Sequence, residues 1–170
     1  SDLMQDTYKE FPDNDKFEGA FVNRDIYNMR ARNYILSRLE NFENKAPITI
    51  ENYTIEHIMP QNKNLSLEWQ TNLGPQWQEV QKKYLHTIGN LTLTAYNSEM
   101  SDRPFMDKMD MLGGFKESAL RINKYVVLQN EWNETHIQER ANELAKKAEV
   151  IWPYPALTAT ELAPYQAEEK

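Results

Sequence analysis

A carboxylate and an imidazole stand side by side at Glu56-His57, in the stretch TIEHIMPQ, where a β-branched run is stopped by Pro60. Histidine titrates near neutrality, so its ring can take a proton from water while a neighbouring oxygen ligand holds a divalent cation. An asparagine carbonyl is a neutral hard ligand suited to magnesium, so Glu56 and Asn97 can supply the one or two protein oxygens that such a site uses. Side chains alternate across a regular strand. Glu56 and His57 therefore reach one site only if the strand ends and twists there, as Pro60 implies. Taken alone, such a pair is more often a surface glutamate beside a histidine bonded to backbone.

Other chemistries lack their residues. The three histidines, His57, His86 and His136, include no HExxH, which speaks against a multi-histidine zinc site. There is no cysteine, so disulfides, cysteine-ligated zinc and a thiol nucleophile are excluded. No GxSxG occurs, and the five glycines form no phosphate-binding loop. The formal charge of −7 argues against coating nucleic acid non-specifically, because phosphate binding rests on lysine and arginine. Interior cations such as Arg24, Arg32, Lys82, Arg103 and Lys108 still allow a local basic face. No run approaches the roughly 18 apolar residues of a membrane span, and no signal segment opens the chain, so a soluble, cytoplasmic protein is expected. Opening on Ser1 rather than methionine fits a piece of a longer protein.

The elements that must position these residues show as patterns. In IYNMRARNYILSRLENF, Ala31, Ile35, Leu39 and Phe42 fall three or four apart, which predicts one helix ending before Pro47. Ile48, Thr49, Ile50, Tyr53, Thr54 and Ile55 suit a strand running toward Pro60. A polar excursion follows, divided by Gly74-Pro75 into two short helical pieces. Leu91 to Thr94 reads as a second strand, reached through Gly89-Asn90 and leading to Asn97 at a helix start. Pro104 opens a further helix that Gly113-Gly114 closes. Ile137, Ala141, Leu144, Ala148 and Ile151 form the most regular helical stripe, with His136 at its start and Trp152-Pro153 at its end. Trp69, Trp77, Trp132 and Trp152 are assigned to packing.

The order Glu56-His57-x-x-Pro60, Gly89-Asn90-Leu91-Thr92-Leu93, Asn97 resembles the ββα-metal unit of the His-Me finger, or HNH, nucleases. EHIMPQ resembles the DHIVPQ of the HNH domain in RNA-guided CRISPR nucleases. A closer resemblance is to the C-terminal nuclease domain of GmrSD-type modification-dependent restriction endonucleases. There an HxxP motif is followed by a GNLTL segment, an asparagine, a PF-x-x-K stretch (here Pro104 to Lys108) and an Ile-Trp-Pro close, here Ile151-Trp152-Pro153. The resemblance spans roughly residues 27–153.

This resemblance implies an α+β fold, mostly α-helical, with a small ββα-metal core of two short antiparallel strands embedded among helices. A single domain would cover 1–153, with the core at about 48–112, flanking helices at about 15–44 and 104–152, and a loosely held tail at 154–170. By the same resemblance, His57 is the general base that activates water, and Asn90 is a catalytic-site residue that positions the base or braces its loop. Glu56, in place of the more common aspartate, and Asn97 bind Mg2+ or another divalent cation such as Mn2+. Lys108 is a candidate for holding phosphate, its other reading being a solvated helix lysine; His86 either touches phosphate or stabilises the fold. The implied partners are DNA, modified or from phage, and an N-terminal NTPase domain that selects it, as in an anti-phage restriction system. A catalytically silent DNA-binding or protein-interaction module of the same fold is the alternative. An enzyme is expected to lose activity as pH falls through the pKa of His57, between about 8 and 5.5.

Overall fold

The computed structural model describes residues 14–153, so the acidic first residues and the tail expected at 154–170 lie outside the described residues. In chain order the elements are α1 (Asn14–Asn23), α2 (Arg32–Glu40), β1 (Thr54–His57), α3 (Leu67–Leu73), α4 (Trp77–Tyr84), β2 (Leu91–Thr94), α5 (Asn97–Met100), α6 (Phe105–Asp110), α7 (Lys124–Val127) and α8 (Glu134–Ile151). Three 3-10 turns, Ile88–Asn90, Phe115–Glu117 and Arg121–Asn123, link them. The strands pair antiparallel, from Thr54 opposite Thr94 to His57 opposite Leu91. The fold is α+β, with this small sheet set among helices.

Strand β2 occupies the predicted residues, but β1 is shorter than its β-branched run. Asn41, just past α2, accepts from the Ile48 N–H (2.8 Å) and donates to the Ile48 carbonyl (2.9 Å), so that residue's backbone is already spent. The Tyr53 N–H then closes a turn on the Ile50 carbonyl at 3.0 Å. Composition favoured extension over Ile48 to Tyr53, but a side chain and a turn took the ladder's hydrogen bonds.

The helix expected from Ile26 begins only at Arg32. Asp25 accepts from the backbone and side-chain amides of Asn28, at 3.0 and 2.7 Å, a local turn that competes with helix. The Ile26 and Tyr27 N–H groups both donate to the His86 carbonyl, at 2.9 and 3.2 Å. This keeps Tyr27 out of the helix and sets it beside the histidines.

Helix α8 carries the predicted stripe, with Ile137, Ala141, Leu144 and Ala148 buried. Its start is a capping box: the Asn133 side chain accepts from the Thr135 N–H at 3.0 Å while the Asn133 N–H donates to His136 Nδ1 at 3.2 Å. His136 is therefore a helix-start residue. The helix crosses the start of β2 so closely that a Cβ on Gly89 would lie 2.2 Å from the Ile137 carbonyl oxygen, which is why only glycine fits there.

Two apolar clusters meet along this helix. In one, Phe17, Phe21, Ile35, Leu36 and Leu39 pack with Leu91 and Leu93 of β2 and Leu144 of α8. In the other, Ile58, Met59, Trp69, Phe105, Met109 and Trp132 pack with Ile137. Trp69 and Trp132 are sealed in the second cluster, and Trp77 and Trp152 are half-buried against the two clusters, so all four tryptophans pack. Each fully buried large side chain contributes about 1.5–3 kcal/mol relative to exposure. No described helix is long and apolar enough to cross a membrane.

Candidate functional site

Beyond His57 the chain leaves the ladder and is held by side chains. The Ile58 N–H donates to the Asn90 backbone carbonyl (3.0 Å) and the Met59 N–H to Asn90 Oδ1 (2.8 Å). Asn90 Nδ2 donates to the carbonyls of Met59 (3.0 Å) and Leu85 (3.1 Å), and Trp132 Nε1 donates to Oδ1 at 3.2 Å. Every hydrogen-bonding position of this fully buried amide is thus spent on the chain. Asn90 braces the loop, one of the two roles expected of it, and its amide has no hydrogen-bonding position left for a substrate. Gln81 of α4 adds a second brace, donating to the carbonyls of Pro60 (2.7 Å) and Asn62 (2.9 Å).

At the end of β1 Glu56 and His57 both line one cavity of about 320 Å³, together with Tyr27, Asn62, Asn97 and Asp102. Glu56 is 3% exposed; its Oε1 accepts from Lys108 Nζ at 3.1 Å, and its Oε2 is buried without a partner. The Lys108 ammonium makes two further bonds, to the carbonyls of His57 and Ile58, each at 3.0 Å. Three N–H groups meet three acceptors, at zero exposure. Lys108 is neither a phosphate-holding group nor a solvated helix lysine, because it has no free donor and no path to solvent. Burial pushes the Glu56 carboxyl up and Lys108 opposes it; burial likewise pushes Lys108 down and Glu56 opposes that.

His57 Nε2 lies 3.0 Å from His86 Nδ1. Its Nδ1 has no hydrogen bond among the described residues, and His57 is one of the residues that line the cavity. The Tyr27 ring stands edge-on to His57 at 4.5 Å and stacks on His86 at 5.1 Å. Burial, then His86 and Lys108, push the His57 ring down to about 3, with Asp25 opposing. The imidazole is accordingly neutral from mildly acid pH upward. A fall in activity between pH 8 and 5.5 is no longer expected from this group, since burial moves its protonation lower. His86 stands behind His57 rather than on the cavity wall.

Asn97, the first residue of α5, is exposed and donates Nδ2 to the Ile55 carbonyl at 3.2 Å, leaving Oδ1 free at the cavity. Across from it Asn62 Nδ2 donates to Asp102 Oδ2 at 3.2 Å. Asp102 follows Ser101, whose positive φ of 41° is a backbone conformation that favours glycine. Tyr27, Asn62 and Asp102 escaped the sequence reading; Asn62 has only its nearness to Pro60, and Asp102 its nearness to Asn97, to mark it. The donors are all hard oxygens, one of them an orphaned buried carboxylate oxygen, which fits a magnesium-like cation. Among the described residues no group of three or more His, Cys, Asp or Glu could hold a metal ion. Such a cation would therefore keep several waters, as magnesium commonly does.

The family model for GmrSD restriction endonucleases, C-terminal domain, matches residues 11–147. The chain belongs to this family. As a GmrSD C-terminal domain it is a module related to the restriction nucleases, and the match takes in the strand pair, the cavity and most of α8. A search of the curated proteins finds no match.

Proposed function

We propose that this GmrSD C-terminal domain is a metal-dependent DNA endonuclease of the HNH type, with His57 as general base in phosphodiester hydrolysis. The observation that carries this reading is that two residues lining one cavity each keep a polar atom without a partner among the described residues, an imidazole nitrogen of His57 and a buried carboxylate oxygen of Glu56. Glu56 through Oε2 and Asn97 through its amide oxygen would hold the cation, Mg2+ or Mn2+, which when bound stabilises charge on the phosphate and the leaving oxygen. His57 takes the proton of the attacking water at Nδ1 as that water's oxygen bonds to phosphorus and the bond to the 3′ oxygen breaks. Asn90, Gln81 and Lys108 keep the loop and the carboxylate in place.

Among the described residues no lysine or arginine lines the cavity, and the formal charge is −7, so the domain itself brings little attraction for DNA. That suits a cutter delivered to modified or phage DNA by an NTPase domain that does the selecting. The test is plasmid cleavage by the intact protein in Mg2+ or Mn2+. His57→Ala should lower the rate about 10²- to 10⁴-fold while leaving folding and DNA binding in place. Equal cleavage by variant and wild type, or none by wild type with either ion, overturns the reading.

A further inference from the structure

We infer that His86 is a positioning residue: it fixes the tautomer and orientation of His57 so that the nitrogen facing the cavity carries the lone pair. This rests on the base role proposed for His57 and adds the group that enforces it.

One proton is shared across the 3.0 Å contact between His57 Nε2 and His86 Nδ1. It has two placements when both rings are neutral. If His57 donates, both rings are Nε2–H tautomers and His57 Nδ1 presents a lone pair to the cavity. If His86 donates, both rings are Nδ1–H tautomers and His57 presents an N–H, which can accept nothing. Neutral histidine intrinsically favours Nε2–H, so the first placement satisfies both rings and the second neither. The hydrogen bond at one ring nitrogen sets the state of the other.

His86 is held firmly enough to act in this way. Its carbonyl accepts from the Ile26 and Tyr27 N–H groups at 2.9 and 3.2 Å. Its ring is stacked on Tyr27, the planes 14° apart. Arg32 in turn lies over the Tyr27 ring at 5.1 Å and donates Nη1 to the Tyr27 carbonyl at 2.9 Å. The break between α1 and α2 thus has a use: it delivers Tyr27 as the wall against which both histidines rest.

The test reads the tautomer directly, from long-range proton–nitrogen correlation spectra of the protein labelled with ¹⁵N-histidine at neutral pH. Wild type should show His57 as a single Nε2–H tautomer. His86→Phe keeps a ring for Tyr27 but removes the acceptor; His57 should then show mixed tautomers, with turnover down about 10- to 100-fold and KM little changed. His86→Asn can offer its amide oxygen in the place of Nδ1, and should restore both the tautomer and most of the turnover. A purely structural His86 would lower the melting temperature in both variants and move the tautomer in neither, which overturns the inference, as does a wild-type His57 found as Nδ1–H. If His86→Phe does not fold, the wild-type spectrum and His86→Asn decide the matter. Wild-type protein that cleaves no DNA refutes the proposed function, yet the spectra still decide the role of His86.

Discussion

Arg140 on α8 and Lys108 on α6 are 1% and 0% exposed, and each donates to backbone carbonyls at the same end of the strand pair. Arg140 Nη1 donates to the carbonyls of Ile88 (3.0 Å), Gly89 (3.0 Å) and Leu91 (2.7 Å), and Nη2 to that of Ile122 (3.2 Å). Lys108 donates to the carbonyls of His57 and Ile58. Since His57 and Leu91 are register partners, the two cations grip opposite strands at one rung. They differ in their remaining partners. Arg140 bonds only to carbonyls and leaves its buried Nε without a partner, whereas Lys108 spends its third N–H on Glu56, whose other oxygen is unpaired. A buried acceptor without a donor costs about 1–3 kcal/mol. Each site thus carries one buried deficit, but only that of Glu56 belongs to a residue lining the cavity, where a cation would relieve it.

Removing the two cations should separate these uses. Arg140→Met strips the donor from four buried carbonyls, a loss on the order of 5 kcal/mol. That rivals the whole stability of an ordinary domain, so urea titration should show no cooperative transition. Lys108→Met should cost less, about 3 kcal/mol, because Glu56 can answer by taking up a proton. Adding Glu56→Gln to Lys108→Met should then recover about 1 kcal/mol, since removing both members of a buried pair is cheaper than removing one. Equal losses in both single variants, with no recovery in the double, would erase the distinction.

The scaffold half of this comparison was far more legible in the sequence than the site half. Helix α8 and strand β2 are written in local periodicity, and both lie where their patterns put them. The depth of Lys108 is not a local property. It depends on a carboxylate and two carbonyls some fifty residues earlier in the chain, so the PF-x-x-K pattern located the lysine without showing that it is buried. Tyr27 fell within a segment read as helix because the carbonyl that draws it out belongs to His86, a long-range partner. Asn90 and Asn97 are the same residue type in one short stretch; only the three-dimensional accounting of hydrogen bonds shows one sealed and the other open.

Acid offers a second way to sharpen the contrast, because the carbonyls around Arg140 do not titrate and the groups around Lys108 do. His57 is pushed from 6.5 down to about 3 in the fold, so the stability tied to its neutral ring is complete above 6.5 and lost as pH falls toward 3. The loss approaches about 1.4 kcal/mol for each pH unit within that window. Glu40 and Glu56, both raised above 4.5 by burial, act with the opposite sign: the stability they add is present below 4.5 and lost as pH rises through their raised values. A His57→Phe variant keeps both glutamates. Between pH 6.5 and 4.5 the urea midpoint of wild type should therefore fall more steeply than that of the variant. Parallel curves would mean that the ring is not held neutral by its surroundings.

The smallest effect on stability should come from Asn97, and it tests whether the contrast between scaffold and site extends to neutral side chains. Asn97→Ala removes one exposed hydrogen bond, to the Ile55 carbonyl at 3.2 Å, and should change stability by no more than about 0.5 kcal/mol. Asn90→Ala leaves the Met59 N–H and the indole of Trp132 without their buried acceptor and should cost about 2–3 kcal/mol. Titrating cleavage against Mg2+ should reverse the ranking. Asn97→Ala should need on the order of tenfold more metal if Asn97 supplies a ligand oxygen as proposed, since loss of an outer partner around a bound metal already costs about that much. An unchanged magnesium curve with a lowered melting temperature would make Asn97 a packing residue and leave Glu56 as the only assigned protein ligand.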